Sequence, residues 1–200
     1  FGEILGLIKS KQCKKVIFAG NIIKPKISKL KLDLKGLFYI PRIIKAAKLG
    51  DAAILKVLIK ILSENKIKVI KLNTFNPELT LKKGIYTKIK PTNQEKKEII
   101  KGVKFLKKIN SYNHTQAVII RNNKVISLEK RKGTKEMIKS IPRMKKKEGI
   151  LIKLPKSKQD LRVDLPTIGL QTFKDCKKAG IKGIVIKSNQ HIILNKDHSI

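Results

Sequence analysis

Lys15-Val16-Ile17-Phe18-Ala19-Gly20 is the stretch that decides the class of fold. Its apolar run stops at Gly20-Asn21, which reads as a short buried strand followed by a tight turn. Downstream, Ile40 to Lys48 places its apolar residues at helical spacing. Gly50-Asp51 then punctuates, with Asp51 placed to cap a second helix running to about Leu62. Lys66 to Ile70 reads as another strand. Strand, helix and strand in this order argue for parallel strands covered by helices. Ahead of them, Glu3-Ile4-Leu5-Gly6-Leu7-Ile8 reads as helix; because the chain opens on Phe1 inside it, the sequence reads as a fragment.

From Lys71 to Pro91 periodicity weakens, and Pro77, Gly84 and Pro91 interrupt the chain, which places a domain boundary near residue 80. Beyond it, Thr92 to Lys108 reads as a helix whose Thr92 and Glu95 have capping-box spacing. Ala117-Val118-Ile119-Ile120 and Lys124-Val125-Ile126 flank Asn122-Asn123, the pattern of a tight hairpin. Gly133-Thr134 opens a helix to about Ile141, Gly149 to Leu154 reads as a strand, and Pro166 to Ala179 as a helix. Lys182 to Ile186 and His191 to Leu194 read as paired strands. The expected class is α/β, with one domain over 1–80 and an α+β domain over 81–200.

Composition excludes several classes. Hydrophobic residues make up 41% of the 200 and aromatics 4%, so the core must be built from Ile, Leu and Val. The net charge of +34 invites a nucleic-acid reading. Yet the excess is almost all Lys, spread along the chain, with Arg only at 42, 121, 131, 143 and 162. Arg is the residue that reads bases in pairs of hydrogen bonds, and stacking aromatics are scarce. An A+T-rich coding bias toward Lys, Ile and Asn accounts for the charge, which would still attract phosphorylated ligands and anionic lipid surfaces. Cys13 and Cys176 lack C-x-x-C spacing, which fits a reducing compartment and no sulfur-bound metal. His114, His191 and His198 form no ligand motif and read as surface or loop residues. Lys interrupts every apolar run well short of the ~20 residues needed to span a bilayer. These features read as a cytosolic protein able to touch a membrane surface.

The segment from Lys153 to Gly169 is the densest in polar groups, and a loop between regular elements is where binding residues gather. Asp164 in Arg162-Val163-Asp164-Leu165-Pro166 either caps the helix read from Pro166 or stands at a phosphate-binding helix start. Lys156, Lys158 and Arg162 are either a solvated face or anion contacts. Glu129 to Met137 is a second candidate, in which Gly133-Thr134 could take an anion through backbone and hydroxyl. Asn21, after Gly20, is either a ligand contact at a strand end or a turn residue. With no P-loop, no G-x-S-x-G and no triad pattern, residue spacing alone describes a phosphate-friendly α/β protein.

Several segments together resemble the LpxI family of UDP-2,3-diacylglucosamine pyrophosphatases. They are Phe18-Ala19-Gly20-Asn21 with Lys24-Pro25, Lys48-Leu49-Gly50-Asp51, Glu129 with Gly133-Thr134 and Met137, and the most specific, Pro155 to Gly169. The resemblance implies a partial Rossmann-like N-terminal domain over 1–80 and a catalytic α+β domain over 81–200. It implies Mg²⁺-dependent cleavage of the UDP-2,3-diacylglucosamine diphosphate to UMP and 2,3-diacylglucosamine 1-phosphate (lipid X), by a homodimer that is soluble or peripheral at the membrane. Asp164 would be the catalytic carboxylate and metal ligand. Arg162, Lys156 and Gln159 would steady the diphosphate, and Glu129, Thr134 and Asn21 would line the substrate site. Two departures stand out. Lys132 and Lys135 flank the Gly-Thr pair where the family usually carries acids, and the family's opening strand and final segment are missing, which together predict weak activity. A non-catalytic glycolipid-binding member and a charge-driven nucleic-acid binder are the rival readings.

Overall fold

The computed structural model describes residues 2–20, 33–110, 115–142, 147–157 and 159–200. Helices and strands are mixed, so the α/β class stands. Two compact units emerge: Phe1–Pro77 with Asp160–Asp164, and Glu78–Gln159 with Leu165–Ile200.

The first unit carries α1 (Gly2–Ser10), β1 (Lys15–Val16), α2 (Leu34–Leu49), α3 (Asp51–Glu64), β2 (Lys68–Val69) and α4 (Leu72–Phe75). β1 and β2 pair in parallel, Lys15 with Lys68 and Val16 with Val69, as the strand–helix–strand order implied. Each strand is only two residues long. The core is aliphatic: Leu5, Ile59, Ile61, Leu62, Ile67 and Val69 are buried together, with Tyr39, Ile43 and Val163 packed against them. Val163 explains why Asp160–Asp164, remote in sequence, belongs to this unit.

α2 begins earlier than its apolar spacing suggested. Asp33 caps it by accepting the Gly36 amide at 2.6 Å, and the helix runs through Pro41. Asp51 is not the cap of α3. Gly50, at φ 104°, ends α2 and begins α3, a backbone angle that only glycine adopts without strain, and Asp51 becomes the first helical residue.

The second unit is built on a four-stranded sheet of order β4-β3-β5-β7, comprising β3 (Ala117–Arg121), β4 (Lys124–Leu128), β5 (Ile150–Lys153) and β7 (Gly183–Ile186). The hairpin turn forms where expected, with Asn122 and Asn123 at φ 48° and 58°, the paired positive values of the tight turn that suits strand twist. β3 and β5 are antiparallel, β5 and β7 parallel.

Alternation along the strands assigns two covered faces. Ala117, Ile119 and Leu151 pack with Met137, Ile138 and Cys176 from α6 (Gly133–Ser140) and α7 (Leu170–Ala179). Val118, Ile120, Ile150 and Ile152 pack with Leu106 of α5 (Asn93–Asn110). Burial on both faces is why these strands read as unbroken apolar runs. At Gly102 a Cβ would collide with Ile152 Cδ1, so glycine lets α5 lie close on the sheet. The capping box of α5 forms in both directions: Glu95 N–H donates to Thr92 Oγ1 at 3.2 Å and Thr92 N–H to Glu95 Oε2 at 2.7 Å.

Two expectations fail near the C-terminus. No helix begins at Pro166. Thr167–Gly169 is a strand, β6, parallel to β8 (Ile192–Leu194), and α7 starts only at Leu170. Pairing with a strand more than twenty residues away, and burial of Ile168, override the local helical pattern. β7 and β8 are strands but do not pair with each other, since β7 joins β5 and β8 joins β6. A short helix, α8 (Lys196–Ser199), follows β8.

Candidate active site

The strand registers bring four chain positions to one end of the second unit's sheet. Ala117 opposes Lys153, Val118 opposes Leu128, and Lys153 opposes Ile186. Gln116 therefore enters β3, Glu129 leaves β4, Lys153 ends β5 and Lys187 follows β7, all at the same end. β5 and β7 present their carboxyl ends there, the usual ligand side of parallel strands.

Glu129 is buried at 7% exposure. Its Oε2 accepts the Gln116 amide at 3.1 Å and its Oε1 accepts the Thr134 hydroxyl at 2.5 Å. Thr134 Oγ1 in turn accepts Lys153 Nζ at 2.8 Å. A threonine hydroxyl has one proton; Glu129 takes it, so toward Lys153 the oxygen can only accept. The direction of the chain is fixed: ammonium to hydroxyl to carboxylate.

Lys153 is equally buried, at 7% exposure. Burial pushes its ammonium below the ordinary lysine range, Glu129 pulls it back up, and the nearby positive charge of Lys156 lowers it further. Sequence reasoning placed Lys153 at the edge of the polar segment without assigning it a role. The signal was there: a lysine ending Ile150-Leu151-Ile152-Lys153, two residues from Leu151 and hence on the face covered by α6.

His191 is not a surface residue. It is completely buried, and its ring accounts for one of two buried polar atoms without a partner among the described residues. Burial lowers its pKa to about 4, and the charge of Lys153 contributes in the same direction. The ring nitrogen Nδ1 lies 3.2 Å from the Lys187 carbonyl. A carbonyl only accepts, so Nδ1 carries the proton and Nε2 is the unpartnered acceptor. Gln116 Oε1 is the other such atom. Cys176, whose thiol burial pushes up to about 12, is an inert core residue.

The motif residues are distributed unevenly. Glu129 and Thr134 meet directly. Thr134 uses its only proton on Glu129, so its hydroxyl positions Lys153 rather than donating to an anion. Gln159 and Lys156 close their loop on each other: Gln159 Oε1 accepts the Lys156 amide at 2.9 Å, and the Gln159 amide donates to the Lys156 carbonyl at 3.1 Å. Lys132 and Lys135 are exposed. Asn21 and Lys158 lie outside the described residues, as do His114 and Arg143.

Asp164 and Arg162 fall in the first unit. Arg162 is paired with Asp160 at 2.7 and 3.0 Å, which holds the Asp160 carboxyl below its ordinary range. Asp164 does not cap a helix, because β6 rather than α7 follows it. It lies in the turn after Asp160, its amide donating to the Asp160 carbonyl at 3.0 Å. Its carboxylate is half-buried and has no partner among the described residues. No group of three His, Cys, Asp or Glu that could hold a metal occurs among the described residues. Mg²⁺ needs no such cage, since it is commonly bound by one or two carboxylates with substrate phosphates and water. Asp164 fits that requirement; Asp160, held by Arg162, does not.

Among the described residues, no helix is long and apolar enough to cross a membrane. Residues 1–79 match the family model of the LpxI N-terminal domain, and residues 82–200 that of the LpxI C-terminal domain. The chain is 29% identical to UDP-2,3-diacylglucosamine pyrophosphatase LpxI of Caulobacter vibrioides, over 98% of this chain and 73% of that protein. With both domain models matched in order along nearly its whole length, the chain belongs to the LpxI family.

Proposed function

We propose that the protein hydrolyses the diphosphate of UDP-2,3-diacylglucosamine, with Mg²⁺, to UMP and 2,3-diacylglucosamine 1-phosphate, a step of lipid A biosynthesis. The observation that carries this reading is the match of both LpxI domain models along the chain. The same reading includes an N-terminal Rossmann-like domain over 1–80 and a catalytic domain over 81–200, a boundary supported by the model limits at 79 and 82.

Water adds to one phosphorus as the bridging P–O bond breaks, so each product leaves with one phosphate. Bound Mg²⁺ would neutralise diphosphate oxygens and lower the pKa of the attacking water. Asp164 would hold the ion through its open carboxylate. Lys156, half-buried, offers an ammonium to the diphosphate, Arg162 the guanidinium edge turned away from Asp160, and Gln159 its amide NH₂. Glu129 and Thr134 hold the polar end of the sheet in place, and Asn21 is assigned to the substrate site by its motif. The same reading includes a homodimer at the cytoplasmic face, where a net charge of +34 favours contact with anionic lipid. A glycolipid-binding member without hydrolysis is the second reading, supported by the exposed Lys132 and Lys135 in place of the family's acids.

The decisive assay is Mg²⁺-dependent UMP release by wild type and Asp164→Ala. A loss of about 100-fold or more is expected, the scale on which removal of one transition-state contact is felt. Equal release by both variants rejects Asp164. Binding of the lipid nucleotide with no release by wild type selects the second reading.

A further inference from the structure

We propose that Lys153 is an anion-binding residue of the second unit, which contacts a phosphate oxygen at the end of the sheet with Lys156 alongside. Three observations converge. Lys153 is buried at 7% exposure, and Thr134 accepts one of its three protons. The positive charge of Lys156 is close enough to bear on Lys153, against the single carboxylate of Glu129. A buried ammonium is costly unless fully compensated, and gathering two cations around one anion leaves a net charge that a bound anion offsets. Finally, His191 Nε2 is a fully buried acceptor without a donor among the described residues. Such an atom suits a ligand that brings a hydroxyl or an acidic phosphate proton.

The local architecture favours this role over a purely structural one. A lysine required only to end β5 would snorkel its ammonium into water. Here the ammonium is drawn inward and aimed by a hydroxyl whose own direction Glu129 fixes. His191, kept neutral by its burial, adds no third cation. The identity of the anion as a diphosphate rests on the hydrolase reading; the anion site itself does not.

The test is titration with inorganic pyrophosphate at constant ionic strength, comparing wild type, Lys153→Met and, as a control for the protein's general positive charge, Lys104→Met on exposed α5 surface. Lys153→Met is expected to weaken binding at least about 10-fold, the scale of a lost hydrogen bond to a charged group, and Lys104→Met to leave it unchanged. Equal affinity in wild type and Lys153→Met, or equal weakening in both variants, overturns the proposal. Should Lys153→Met fail to fold, the wild type decides. Its ε-¹³C lysine spectrum, assigned with Lys153→Arg, must show the Lys153 signal shifting with pyrophosphate, and a static signal overturns the assignment. UMP release measured on the same samples separates the two readings. Lysine-dependent pyrophosphate binding without UMP release by wild type keeps the anion site and rejects the hydrolase.

Discussion

Two carboxylates of the second unit are buried to nearly the same degree, Glu98 at 5% and Glu129 at 7% exposure, yet they serve opposite ends of one sheet in different ways. Glu98, on α5, accepts the Asn123 amide at 3.1 Å and so ties the helix to the hairpin turn. Its partner is a backbone amide, and the bond fastens one element to another. Glu129 also accepts a backbone amide, that of Gln116, but its other oxygen orients Thr134 and through it Lys153. Around it lie a buried histidine and a glutamine oxygen that lack partners among the described residues. Burial of a carboxylate therefore says little about function. What distinguishes the two is what each holds: Glu98 fixes a backbone amide, whereas Glu129 also orients a hydroxyl that holds a buried ammonium.

Substitution should separate the two ends most sharply. Glu129→Gln removes the charge that orients Thr134 and compensates Lys153. UMP release is expected to fall about 10- to 100-fold, the equivalent of one charged hydrogen bond. Glu98→Ala should leave kcat unchanged while costing about 1–3 kcal/mol in denaturant unfolding, because the Asn123 amide loses its acceptor. A comparable loss of activity in both variants would erase the distinction.

His191 gives a pH signature for the same end of the sheet. In the unfolded chain it titrates near 6.5, in the folded protein at about 4. Between those values the unfolded state binds the extra proton, so stability falls as pH drops from about 6.5 to about 4 and flattens below. The loss is on the order of 3 kcal/mol. His191→Gln should flatten that window in unfolding measured against pH. An unchanged slope would mean that the ring titrates normally. Thr92→Ala, at the capping box of α5, sets the small end of the scale. About 1 kcal/mol of stability should be lost with no change in turnover, and a measurable drop in kcat would extend the functional region to this helix start.

Much of the architecture is legible in the sequence. The Asn122-Asn123 hairpin, the Thr92–Glu95 capping box and the start of α6 at Gly133 depend on residues within a few positions of each other, and short-range chemistry specifies them. Glu129 and Thr134, five residues apart, were also assigned to one site and do meet. The segment Pro166–Ala179 was misread because its first part is settled by a partner strand at Ile192–Leu194, which no local window contains. Asp164 lost its expected place at a helix start for the same reason. His191, read as surface or loop, does lie in the bend before β8 but is buried, which no local spacing signals.

The sequence by itself determined the class of fold, the positions of most helices and strands, the aliphatic core and the family, since each depends on local spacing or on motifs read in order. Only the tertiary structure decided that β6 pairs with β8, that Asp160–Asp164 packs within the first unit, and that Lys153 turns inward to Thr134 and Glu129. Those outcomes rest on long-range strand register and on the cost of burying charge, and both depend on which distant residues become neighbours.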